Sequence, residues 1–139
     1  MQDLKQSDNH TTSTLMAYSR TMSDEDRELV NSLGKQVTLW CFDCDAEAIN
    51  DAEKLCAEMV TYIEETRLTV RDTCVTKYEP QGVTIALILA ESHLMVNTWP
   101  ENGVLQIELF ACTEINGEAL EDIARNVFGA KRVYPYRYE

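Results

Sequence analysis

The sequence predicts an α/β two-layer sandwich, a mainly antiparallel sheet with two helices on one face. Three observations predict it. Beyond Gly34, apolar residues recur at helical spacing in two long segments, one opening at Asp51 and one at Gly117. The stretches around them are β-branched, aromatic or alternating, and turn residues punctuate them. The chain has 139 residues, 45% of them apolar, enough to bury one core and too few for two.

Residues 1–22 are polar, with a block from Ser7 to Thr14 that offers nothing to bury, and are expected to form a disordered tail. Ser23-Asp24-Glu25-Asp26 starts a helix over about residues 24–33. Ser23 caps it, the acids match the positive end of its dipole, and Gly34 stops it. Residues 35–139 form the main domain. Val37 to Phe42 is β-branched and aromatic and reads as the first strand, followed by a loop from Asp43 to Asn50. From Asp51, the positions Ala52, Leu55, Cys56, Met59, Val60 and Ile63 line one side of a helix that runs to about Thr66.

Leu68 to Tyr78 reads as a strand, Pro80-Gln81-Gly82 as a turn, and the continuous apolar run Val83 to Ala90 as a central strand that delivers Glu91 and Ser92 at its end. After a turn at Pro100 to Gly103, Val104 to Cys112 alternates as a half-buried strand does. Gly117 to Phe128 is the second helix of the sandwich, with Leu120, Ile123, Ala124 and Val127 on one side and Gly129 as its stop. Lys131 to Tyr138 contains Pro135 and so belongs at a sheet edge. If the uncovered face is apolar it needs a partner, and a homodimer is the simplest.

A formal charge of −12 repels phosphate backbones and anionic headgroups, so neither nucleic acid nor a membrane surface is an expected partner. The same field admits a cationic ligand such as a sulfonium or a polyamine, although solubility alone accounts for most acidic surfaces. No apolar run is long enough to span a bilayer, and the N-terminus lacks a basic segment followed by an apolar one. The expected location is therefore cytoplasmic. Five cysteines, an odd number, read as free thiols in a reducing compartment. Cys41 and Cys44 have C-x-x-C spacing but lack two further zinc ligands and do not open a helix, so no metal and no redox role is expected.

The chemistry concentrates in Glu91-Ser92-His93-Leu94-Met95-Val96-Asn97-Thr98-Trp99-Pro100-Glu101. Decarboxylating an α-amino acid requires a sink for the electrons of the developing carbanion, and a carbonyl that condenses with the substrate amine is one. A chain can make that carbonyl from itself. A serine hydroxyl attacks the preceding carbonyl and the amide becomes an ester. Loss of the serine Cα proton then expels the ester, and hydrolysis leaves a pyruvoyl group on a new N-terminus.

From Leu33 onward the chain resembles the bacterial and archaeal S-adenosylmethionine decarboxylase proenzymes. The matching segments are Leu33-Gly34-Lys35, Cys44-Asp45, Pro80-Gln81-Gly82-Val83, Glu91 to Glu101, Phe110-Ala111-Cys112 and Gly129-Ala130-Lys131-Arg132-Val133. The resemblance implies a zymogen that cleaves itself between Glu91 and Ser92, a pyruvoyl cofactor made from Ser92, no metal, and a role in spermidine synthesis. It also implies that Thr84 helps orient the scissile carbonyl and that Cys112 protonates the product carbanion. Tyr78 would stack on adenine and Glu101 would bind the ribose hydroxyls. Taken singly, Ser92 reads as a turn residue, Cys112 as core, Tyr78 and Thr84 as strand residues and Glu101 as a solvated acid. Their common order and spacing carry the resemblance.

The family's usual segment reads E-S-H-L-x-I-H-T-W-P-E, and here Asn97 stands at the second histidine. That histidine would supply the base for the elimination. An amide has no nitrogen that titrates near neutral pH, and loss of a positioned base typically costs ~10²–10⁴-fold in the step it serves. His93, four residues away, cannot take its place and reads as structural. Three functions follow: a slow-maturing S-adenosylmethionine decarboxylase; a family member without a pyruvoyl group that binds, regulates or pairs with an active paralogue; or a pyruvoyl decarboxylase of another amino acid such as arginine or ornithine.

Overall fold

The computed structural model describes residues 22–138, except the side chain of Tyr138. The tail expected over residues 1–22 lies outside the described residues but for Met22. The chain divides into two units, residues 1–33 and 34–139. The first contains α1 (Asp24–Leu33), whose start is the predicted cap: the Ser23 hydroxyl accepts from the Asp26 N–H at 3.0 Å.

The second unit runs β1 (Lys35–Phe42), α2 (Ala52–Glu65), β2 (Val70–Lys77), β3 (Val83–Leu89), β4 (Ser92–Trp99), β5 (Val104–Ala111), α3 (Gly117–Asn126) and β6 (Arg132–Tyr138). The six strands lie in the order β2-β3-β4-β5-β1-β6, every neighbouring pair antiparallel. α2 packs on β2 and β3, and α3 on β1 and β6, so the expected sandwich forms. Pro135 sits on the edge strand β6, where a missing N–H costs no ladder bond on the solvent side.

Burial alternates along the inner strands because side chains of a strand point to opposite faces in turn. Leu94 and Val96 of β4, Leu105 and Ile107 of β5, and Val37 and Leu39 of β1 are wholly buried on the helix-covered side. From α2 come Leu55, Met59 and Ile63, and from α3 Leu120 and Ala124, with Phe128 beyond it. Each of these side chains larger than alanine contributes roughly 1.5–3 kcal/mol by leaving water. Tyr62 of α2, absent from the predicted apolar stripe, is also buried, and its hydroxyl donates to the Asn116 carbonyl at 2.9 Å. Asn116 in turn caps α3 by accepting from the Ala119 N–H, so one residue ties both helices together.

The sequence predicts five strands, whereas Ser92–Trp99 forms a sixth; its His93, Asn97 and Thr98 mask an alternation that its burial pattern makes plain. α1 ends at Leu33, where the sequence predicts its stop, but Gly34 does not end it by a left-handed turn. Its φ is not positive, and the requirement is one of space: a Cβ there would collide with the Phe110 ring. Gly129 does take the left-handed φ of +75° expected of a helix-ending glycine.

Candidate active site

β3 and β4 pair with Leu89 opposite Ser92, which leaves Ala90 and Glu91 as a two-residue turn. Ser92 is therefore the first residue of β4, not the tail of the central strand. It points to the helix-covered side with Leu94 and Val96 and is only 6% exposed. Its hydroxyl oxygen accepts from the Cys112 N–H at 2.9 Å, which satisfies a polar atom that burial would otherwise penalise. The Cys112 thiol reaches back to the Ala90 carbonyl, sulfur to oxygen 3.7 Å. β5, paired with β4, delivers Cys112 just past its last residue. Glu91, Ser92 and Cys112 thus come together.

Tyr78, Thr84, Asn97 and Glu101 come together elsewhere. They line a cleft of about 260 Å³ with Gly82 and Trp99, at the opposite end of β4. The Tyr78 hydroxyl donates to Thr84 Oγ1 at 2.9 Å, Thr84 donates to Asn97 Oδ1 at 2.7 Å, and the Asn97 amide donates to Gln106 Oε1 at 3.1 Å. Register explains the chain: Thr84, Asn97 and Gln106 are directly opposed on three adjacent strands. Gln106 escaped the sequence reading, although the alternation of β5 had placed it on the polar side. Glu101 sits on a short 3₁₀ turn, Pro100–Asn102. Trp99 stacks on Trp40 of β1 with ring centroids 6.0 Å apart and planes at 20°.

The two groups do not meet within one chain. Ser92 and Asn97 are five residues apart on one unbroken strand, so they point to opposite faces and lie about 17 Å apart along it. His93 is on the open face too, where its ring stacks on Phe110 at 6.0 Å. A larger groove of about 670 Å³, bordered by Glu47, Asp51, Glu53 and Lys77, contains none of the candidate residues.

Cys41 and Cys44 are buried. Burial, with Cys44 adjacent, pushes the Cys41 thiol up to about 12; burial, with Asp43 adjacent, pushes Cys44 up to about 11. Both thiols are protonated at neutral pH. Among the described residues no group of three or more His, Cys, Asp or Glu could hold a metal ion.

The fold is shared with the adenosylmethionine decarboxylase of Aquifex aeolicus VF5, whose structure superposes with a TM-score of 0.67 at 23% identity over 77% of this chain and 89% of that one. The S-adenosylmethionine decarboxylase proenzyme of Prochlorococcus marinus (strain MIT 9313) is 36% identical over 100 residues, 71% of this chain and 80% of the relative. That of Moorella thermoacetica is 35% identical over 85 residues, 61% of this chain and 68% of the relative. The family model for S-adenosylmethionine decarboxylase matches residues 35–138, from the first residue of β1 to the last of β6. With sheet, hairpin and motif residues all inside that match, the chain belongs to the S-adenosylmethionine decarboxylase family.

Proposed function

We propose that the protein is a pyruvoyl-dependent S-adenosylmethionine decarboxylase that cleaves itself between Glu91 and Ser92. One observation carries the reading: the Ser92 hydroxyl, next in sequence to the carbonyl it would attack, is fixed by the Cys112 N–H at 2.9 Å. In the first step a bond forms from Ser92 Oγ to the Glu91 carbonyl carbon. The Glu91–Ser92 C–N bond breaks, and the hydroxyl proton ends on the Ser92 nitrogen. Removal of the Ser92 Cα proton then expels the Glu91 carboxylate, and water releases the nitrogen as ammonia.

The residues present fit a small carbonyl group at this position. Ser92 itself is buried at the end of the helix-covered face, and the exposed Cys112 offers it an N–H donor and a thiol beside the same turn. When present, a pyruvoyl carbonyl supplies the electron sink that decarboxylation requires. Cys112 is the proton donor to the product carbon. The cleft suits a nucleoside: Tyr78 and Trp99 offer ring faces to adenine and to a sulfonium, and Glu101 offers a carboxylate to ribose hydroxyls.

The reading includes a homodimer, on two grounds. The open face carries Trp40, Trp99 and Tyr134, each more than a third exposed, which a second copy would cover. A second copy is also the simplest source of a Thr84 and Asn97 pair for a Ser92 turn that its own chain does not reach.

Asn97 supports a second reading, a binding or regulatory member that makes no pyruvoyl group and pairs with an active paralogue. Its amide is engaged at both ends, by Thr84 and by Gln106, and carries no titrating nitrogen. The intact mass of purified protein separates the two. Chains 1–91 and 92–139, the second blocked by a pyruvoyl group, are expected. One unbroken chain that resists hydroxylamine would overturn the first reading in favour of the second. For cleaved protein, carbon dioxide release from labelled S-adenosylmethionine, and none from arginine or ornithine, is the expected substrate result.

A further inference from the structure

Among the described residues three that are not glycine have positive φ: Asp43, Arg67 and Glu91. Asp43 and Arg67 lie just beyond the ends of β1 and α2, where such a conformation turns the chain away from an element. Glu91, with φ +53°, does something else. It is the second residue of the β3–β4 turn, and Ala90 before it has no positive φ. A turn of that form calls for Gly or Asn at its second position. In the left-handed conformation an L-residue's Cβ crowds the carbonyl oxygen that follows it. For Glu91 that oxygen belongs to the carbonyl of the Glu91–Ser92 bond.

Such a conformation persists only where the surroundings hold it. Here both neighbours are held, and by one residue. Cys112 donates its N–H to Ser92 Oγ at 2.9 Å on one side of Glu91 and its thiol to the Ala90 carbonyl at 3.7 Å on the other. The β3–β4 ladder runs up to the turn itself, with Leu89 paired to Ser92.

Building on the self-cleaving reading, we infer that Glu91 stores backbone strain at the bond to be broken, and that Cys112 is the clamp that keeps it there. Attack by Ser92 Oγ on the Glu91 carbonyl carbon exchanges a C–N bond for a C–O bond and moves one proton from oxygen to nitrogen, with no other reactant. In the amide, the ladder fixes the Glu91–Ser92 peptide and the crowded carbonyl with it. In the ester, the Ser92 nitrogen is no longer bonded to that carbonyl, and the Glu91 carbonyl can rotate away from its Cβ. The strain therefore raises the amide relative to the ester. Glu91 and Cys112 act here as positioning residues.

The test compares Glu91→Gly, which accepts the conformation, with Glu91→Ala, which loses the carboxylate but keeps the Cβ. Intact mass followed over time should show Glu91→Gly cleaving about ten-fold more slowly than Glu91→Ala, the rate factor matching an ordinary left-handed penalty. Brief hydroxylamine treatment should trap correspondingly less ester in the glycine variant. In a Ser92→Ala background, where nothing cleaves, Glu91→Gly should raise the thermal midpoint relative to Glu91→Ala. Equal cleavage rates, or a lower midpoint for glycine, would overturn the strain. A wild-type chain that neither cleaves nor yields hydroxylamine fragments would instead overturn the self-cleaving reading, and this inference with it.

Discussion

The two ends of β4 handle polar side chains in opposite ways. At its start Ser92 is buried on the helix-covered face and held by a single backbone N–H. Near its end Asn97 lies on the open face inside a chain of hydroxyls and amides running from Tyr78 to Gln106. The Ser92 hydroxyl is thus placed by packing and backbone, and the Asn97 amide by neighbouring side chains. A change of side chain at 97 should therefore leave the Ser92 hydroxyl in place. Asn97 alters how protons can be handled in the cleft without touching the turn that would be cut.

Restoring the imidazole is the strongest probe of that separation. Asn97→His should speed cleavage by ~10²-fold or more, the lower range for a positioned base. Because Asn97 faces away from the Ser92 of its own chain, the gain should grow with protein concentration as copies associate. Time courses of intact mass at several dilutions measure it. A gain equal at all dilutions would mean that both ends of β4 act within one chain, and no gain would remove residue 97 from maturation altogether.

Much of this arrangement is legible in the residues alone. Helical spacing located α2 and α3, and Asp51 and Asn116 cap them through side chains that short-range chemistry favours there. The segment from Glu91 to Glu101 and the distant Cys112 could be matched by their letters. What the letters withheld was face and register. Ser92 and Asn97 look adjacent when written in a row, and only the period of a strand separates them. Gln106 became a partner of Asn97 through the pairing of β4 with β5, a contact fixed by the whole sheet and by nothing local. Tyr62 is core because the Asn116 carbonyl, fifty-four residues on, accepts from its hydroxyl, a partner that no local pattern reveals.

The faces themselves can be compared at two neighbouring residues. Leu94 is wholly buried on the covered side, and Met95 is half-buried on the open side. Leu94→Ala should cost about 2–5 kcal/mol in urea unfolding, since it leaves a cavity among fixed neighbours. Met95→Ala should cost about 1 kcal/mol or less in dilute protein. Equal losses at the two positions would show that the open face is as thoroughly covered as the other, the outcome a tight homodimer would give; dilution should then weaken the Met95 effect alone.

A last comparison sets the covered face against alkali. Burial pushes the Cys41 thiol from its ordinary 9.0 up to about 12, Cys44 from 9.0 up to about 11, and the Tyr62 hydroxyl from 10.0 up to about 12. In each case the folded state holds its proton more tightly than the unfolded chain does. Below pH 9 both states are protonated, and the stabilisation is fully present. Between pH 9 and pH 12 the unfolded chain releases protons that the folded state retains, so stability falls as pH rises through that window. The urea midpoint should be flat from pH 7 to about 8.5 and should decline above about 9, where these thiols begin to ionise in the unfolded chain. Cys41→Ala removes one of the three groups and should make the decline shallower while leaving its onset in place. A midpoint that stays level to pH 11 would mean that water reaches these thiols, and the sealed, helix-covered face that fixes Ser92 would have to be abandoned with it.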